Sequence, residues 1–227
     1  MIARVLLVAV AAGIVAGLAA TVLQLARVTP LILEAERYET AAANGLDGEA
    51  PAGDDDAAWA PADGAERLAY TLLANVLTGI GFGLLLAAGF VLRGRRVDWR
   101  RGLVWGVAGF AVFSLAPALG LPPELPGISA AALGARQVWW LGAVLATGAG
   151  LAVIAFLPRT VFRIAGAVLI VLPHLVGAPH PAAPGGGVPP ALAAEFTVAS
   201  LASAALFWTV LGGVGGLLFD RFGPARP

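Results

Sequence analysis

The sequence predicts an all-α integral membrane protein, a helical bundle with six transmembrane helices in a single membrane domain over residues 1–227. Five spans plus a re-entrant segment is the alternative. Three observations carry this reading. Of the 227 residues, 59% are hydrophobic and 12% charged, against about 45–50% and about 25% in soluble domains. The mean hydropathy is +0.86. The apolar residues fall in runs that match the roughly 20 residues a helix needs to cross a bilayer, and the arginines collect between those runs.

The first run, 2–26, is interrupted only by Arg4 near its start and Gln24 near its end. A basic start followed by apolar residues also describes a secretory signal peptide. The run is longer than the 7–15 residues or so of that apolar region, so it is read as a retained span. Pro30 follows Thr29 and predicts a kink or restart of the helix there. In LILEAERYE, Glu34 and Tyr38 then share a face one turn apart, with Glu36 and Glu39 elsewhere around the axis. These carboxylates read either as the lining of a cation entrance or as the polar face of an interfacial helix. Residues 45–65, rich in Asp, Gly, Pro and Ala, form a flexible acidic outer loop. In it Asp54, Asp55 and Asp56 are either a cation-attracting antenna or simply solvated.

The second run is 68–92, the third 102–119 and the fourth 138–157. The fifth, 164–176, is short and carries Pro173, which is why it could be re-entrant. A Gly/Pro-rich loop, 183–190, precedes the sixth, 191–219. That loop lacks the Gly-Lys-Ser/Thr of a phosphate-binding loop. Gly13 and Gly17, Gly79 and Gly83, Gly102 and Gly106, and Gly212 and Gly216 recur at four-residue spacing, which predicts close helix packing. Gln24 and Asn75, the polar residues inside spans, read as interhelical hydrogen-bond partners.

Orientation separates six spans from five. The loop from Arg93 to Arg101 holds five arginines, which places it in the cytoplasm. Alternating through six spans puts Arg4, Arg159, Arg163, Arg221 and Arg226 on the same side, with both termini cytoplasmic and 27–67 outside. Five spans would send Arg221 and Arg226 to the opposite side.

Composition and motifs also exclude. With no cysteine, disulfides and thiolate metal sites are absent. The formal net charge is zero, and no basic surface suggests a nucleic-acid partner. No Gly-x-Ser-x-Gly, His-Glu-x-x-His or nucleotide motif is present. The expectation is a protein that is not an enzyme and binds no permanent cofactor, and one that is not a self-sufficient ATP-driven pump.

The only two histidines, His174 and His180, lie in LPHLVGAPHP at the mouth of the fifth run. Ionisable groups at a membrane edge are costly and point to function, and imidazole is a common transition-metal ligand. Pro173 and Pro179 predict unwound backbone around 172–181, tolerated at membrane depth where it lines a cavity. Glu195 falls on the same outer side, as do Glu34, Glu36 and Glu39. Two histidines with carboxylates suit Co, Ni, Fe, Mn or Zn without choosing among them. The competing reading makes both histidines hydrogen-bonded interfacial loop residues.

Three segments in this order, VTPLILEAERYE, LPHLVGAPHP and ALAAEFTVASLASAALFW, resemble the CbtA family of predicted cobalt-transporter subunits across nearly the whole chain. The resemblance implies a multi-pass bacterial inner-membrane protein associated with cobalamin-linked cobalt uptake, with cobalt(II) as its cargo. It also implies a small single-span partner, CbtB, with a histidine-bearing end. It assigns no ligands, although Glu34, Glu36, Tyr38, Glu39, His174 and Glu195 fall within the matching segments. The combined expectation is an uptake-transporter subunit with an outer metal site drawn from His174, Glu34, Glu36, Glu195 and His180. The alternative is a non-transporting membrane scaffold or assembly protein that binds a partner subunit.

Overall fold

Each apolar run becomes a helix, and the helices associate in antiparallel pairs. The computed structural model describes residues 2–45, 61–181 and 187–223, with the side chains of 41–45 left undescribed. The first run forms α1 (Ile2–Leu23), which passes through a π-helical turn at Gln24–Val28 into α2 (Thr29–Gly45). The second is α3 (Ala65–Arg93). The third is α4 (Trp99–Phe110), a π-helical turn at Ala111–Leu115, and the short α5 (Ala116–Ala118). The last three are α6 (Leu133–Phe156), α7 (Thr160–Val176) and α8 (Pro190–Phe222). No strand occurs among the described residues. The architecture is an all-α membrane bundle, with five helical segments long and apolar enough to cross a membrane and α7 shorter at 17 residues.

α7 rises about 25 Å at 1.5 Å per residue. It runs back along α6, with Gly166 against Gly150 and His174 against Trp139. It is thus one continuous helix lying along α6, without the turn of a re-entrant segment.

One local expectation is met and another holds only in part. At Thr29-Pro30 the helix restarts: α1 gives way to the π-helical turn, the Thr29 amide bonds back to the Gln24 carbonyl, and α2 begins at Thr29. The backbone is irregular over 177–181 as expected, but it does not unwind at 172–176. Pro173 sits inside the last turn of α7, where it forfeits a single bond back to the Leu169 carbonyl. The helix ends after Val176, at Gly177, whose φ of 87° a side-chain-bearing residue rarely adopts.

Glycines set the pairing. Along α1 and α3, Gly13 meets Gly79, Gly17 meets the Asn75 backbone, and Gly83 meets Ala9. A Cβ on Gly13 would lie 2.5 Å from backbone atoms of α3. Along α4 and α8, Gly102 and Gly106 interlock with Gly212 and Gly216. The two pairs join through α1 and α8 around a core that includes Ala12, Ala16, Leu86, Phe90, Trp208 and Leu211. Phe113 stacks on Trp208 at 5.5 Å, and Phe82 leans on both. Together these helices form the body. α6 and α7 form a separate hairpin around Gly150 and Gly166, with α6 resting chiefly on the second π-helical turn and α5. The outward face of α7 is apolar and bare, as lipid contact requires; Gly166 is its only buried residue.

Antiparallel pairing brings the start of α1, α4 and α7 and the end of α3, α6 and α8 to one end of the bundle. Arg4, Arg93, Arg95, Arg96, Arg100, Arg101, Arg159, Arg163 and Arg221 all belong to that end. There Arg96 grips Asp220 through two bonds of 2.7 and 3.0 Å. The Asp220 hydrogen bond and charge push the Arg96 pKa up. Arg93 lies over the Phe156 ring at 5.0 Å and ties the hairpin to the body. At the opposite end, Val28, Leu31 and Ala35 pack with Leu125, Leu192 and Phe196 into a cap.

Candidate functional site

The candidate glutamates and both histidines lie at the end opposite the arginine cluster, but on separate elements. α2 brings Glu34, Glu36, Tyr38 and Glu39. Leu31 and Ala35 face the cap, which leaves Glu34, Tyr38 and Glu39 exposed and Glu36 half-buried. Glu36 accepts from Arg67 of α3 at 3.0 Å, and Asp63 holds the other arm of the same guanidinium at 3.0 Å. Glu36 is therefore already neutralised by a cation of this chain. Glu39 lies beside Gly127 of the loop before α6. Glu195, in the second turn of α8, and His180 are both exposed.

His174 is placed differently. It lies in the last turn of α7, half-buried, with its ring edge-on to Trp139 at 5.8 Å and 69°. The Trp139 indole N–H donates to the Pro173 carbonyl at 3.3 Å, which also receives the Gly177 amide at 3.1 Å. The His174 Nε2 is buried and has no hydrogen-bond partner. A nitrogen in that condition is costly unless something binds it, and a neutral imidazole with a free nitrogen is a metal ligand in waiting.

Among the described residues no three His, Asp or Glu side chains form a group that could hold a metal ion. His174, His180, Glu34, Glu36 and Glu195 thus do not assemble into one site within this chain. The reason is topological. α7 packs chiefly on α6, whereas α2 packs on α8, and Glu36 is engaged by α3. Asp54, Asp55 and Asp56, and most of the 45–65 loop, lie outside the described residues, as do 182–186 of the Gly/Pro-rich loop.

The expected interhelical hydrogen bond between Gln24 and Asn75 forms, and Thr21 joins it. Asn75 of α3 donates through its amide nitrogen to Thr21 Oγ1 at 3.0 Å and to Gln24 Oε1 at 2.7 Å. Gln24 and Asn75 were legible as polar residues in apolar runs. Thr21, buried and also donating to the Gly17 carbonyl at 2.8 Å, was not. Arg136 and Glu124 pair at 2.8 Å across the loop before α6. Arg136 borders a lateral cleft of about 670 Å³ between hairpin and body, lined also by Ser114, Trp140 and Ser200.

Comparison with known proteins bears on what this arrangement serves. A family model described as a probable cobalt transporter subunit (CbtA) matches residues 2–220. No curated protein and no solved structure matches the chain.

Proposed function

The chain belongs to the CbtA family of probable cobalt transporter subunits, and from that premise we propose that it is the membrane subunit of a cobalt(II) uptake system. The observation that carries the proposal is the family match over 2–220, on a chain whose six apolar helices form a membrane bundle. The arginine end faces the cytoplasm, as the excess of basic residues favours, with both termini inside. The acidic and imidazole residues then face outward.

In this reading Glu34, Glu195 and the acidic loop with Asp54, Asp55 and Asp56 raise the local cation concentration. His174 supplies the first nitrogen ligand through its unpartnered Nε2. This chain offers no three-ligand group among its described residues, so the remaining ligands come from a second subunit, the small CbtB-type partner that the family implies. His180 and Glu36 serve as secondary ligands, Glu36 only after release from Arg67. Association with cobalamin-linked metabolism and a bacterial inner-membrane location are part of the same proposal.

Cobalt accumulation in intact cells tests the proposal. His174→Ala should lower accumulation by about tenfold, the loss expected if one ligand contributes roughly 1.4 kcal/mol to capture. Equal accumulation by wild type, His174→Ala and Glu34→Ala sinks the metal-site assignment. The scaffold alternative predicts no cobalt movement by the wild-type complex, with partner binding retained.

A further inference from the structure

We propose that Thr21, Gln24 and Asn75 form a second cation site, a neutral oxygen way-station at the outer rim of the membrane core between α1 and α3. The proposal rests on the transport reading for its purpose, although the site itself is argued from geometry.

The Asn75 amide nitrogen sits between two oxygens, at 3.0 Å from Thr21 Oγ1 and 2.7 Å from Gln24 Oε1. It therefore occupies a position where positive charge is favoured. Rotating that amide by half a turn replaces the nitrogen with Oδ1 and brings three side-chain oxygens toward one point. Hydrogen-bond glue between two helices would use the amides reciprocally. Here Gln24 Nε2 and Asn75 Oδ1 are left without a partner among the described residues. Both residues are only half-buried, so these two spare groups stay open to a ligand at the membrane rim.

The backbone beside it is also open. Gln24 begins the first π-helical turn, and such turns occur frequently at functional sites. Pro30 has no N–H, so the carbonyl it would otherwise bond, that of Ala26 or Leu25, loses its helical donor. A further oxygen thus lies within a turn of Gln24.

The depth fits a rim position. Gln24 is about 30 Å from Arg4 along α1, and Asn75 about 27 Å from Arg93 along α3, at 1.5 Å per residue. A hydrocarbon core is about 30 Å thick, so the cluster marks its outer boundary if the arginines mark the inner one. The Glu36–Arg67 pair joins α2 to α3 further out along the chain, and the cluster lies closer to the glycine seam, where Gly17 meets the Asn75 backbone. A divalent cation leaving water there would exchange hydration oxygens for hydroxyl and amide oxygens. Neutral ligands hold it weakly enough to release it inward, as conduction requires. The ligand class is a divalent transition-metal cation shedding part of its water shell.

The test uses the full-length chain, with cobalt(II) alone as the probe, in two arms. Equilibrium cobalt binding to solubilised protein is measured for wild type, Asn75→Asp and Asn75→Leu. Cobalt influx into proteoliposomes is measured for the same three. Asn75→Asp adds a charged oxygen ligand and should tighten binding about tenfold and lower the KM for influx, while slower release lowers the maximal rate. Asn75→Leu should raise KM about tenfold with thermal unfolding still cooperative. Unchanged cobalt affinity in Asn75→Asp overturns the proposal, as does an Asn75→Leu variant altered only in its unfolding temperature. If wild type carries no cobalt, the transport reading fails, and the binding arm alone still decides the site.

Discussion

The body and the α6–α7 hairpin use the same packing device to different ends. In the body, two glycine seams are locked together by the α1–α8 face and by an aromatic cluster centred on Phe82, Phe113 and Trp208. In the hairpin, a single glycine crossing, Gly150 on Gly166, and the Trp139–His174 contact pair two helices of which α7 exposes most of its surface. The hairpin meets the body through Phe113 and Trp140, through Val112 near Gly148, and at its two ends. Lipid tails are as apolar as leucine, so association inside a membrane depends on packing and polar contacts. The body has many such contacts and the hairpin few. The body is thus the more densely packed unit and the hairpin the more sparsely attached one, with the cleft between them.

Breaking the body should have the largest effect. Gly79→Leu forces side-chain atoms into the Gly13 backbone, which has nowhere to go. Overpacking costs about 1–3 kcal/mol and more where backbone is the obstacle, so this variant should fail to give monodisperse protein in detergent. Next comes Trp208→Ala, which removes the buried ring at the centre of the aromatic cluster. A loss of about 3–5 kcal/mol is expected, seen as a lower unfolding temperature with the helices still formed by circular dichroism.

The hairpin variants sharpen the contrast. Gly166→Val opens α7 from α6 at Gly150. Hydrogen exchange should accelerate in α6 and α7 while α1, α3, α4 and α8 keep their protection. Uniform acceleration would show that the two regions unfold as one. Smallest is Trp139→Phe, which deletes the 3.3 Å bond to the Pro173 carbonyl. It should cost about 0.5–1.5 kcal/mol, detectable as faster exchange confined to the end of α7 around His174.

The same contrast governs what could be read from the sequence. Helix number, approximate spans and the gathering of arginines at one end followed from hydropathy and charge, because a membrane forces those patterns on the chain. The body's seams could be anticipated, since Gly13 with Gly17 and Gly212 with Gly216 repeat within one helix. The hairpin's seam could not. Gly150 and Gly166 lie on different helices, and neither repeats at four-residue spacing within the seam. The metal-ligand set was legible only as residue types on one side of the membrane. Which of them meet depends on helix neighbours, and α7 turned out to border α6 instead of α2. Pro30 was read correctly, since α2 begins at Thr29. Pro173 misled because it sits in a last turn, where the helix tolerates the lost bond, and local propensity does not report that allowance.

The π-helical turn at Gln24–Val28 also sets how the chain tolerates length changes. Such a turn holds one residue more than an α-helical path of the same hydrogen-bonded span. Deleting a single residue there, Leu25 for instance, would let the helix run on as an uninterrupted α-helix, with no change in hydrophobicity and no broken cap. Because the lost residue is the one the wide turn accommodates, the helix beyond keeps nearly the same angle, and Leu31 and Ala35 stay against Leu125 and Phe196. The same deletion in the regular part of α1 would instead turn everything beyond it by about 100° and pull the cap apart. The wide turn is therefore the one place in this long helix where a residue can be lost without a change of angular register between its two halves.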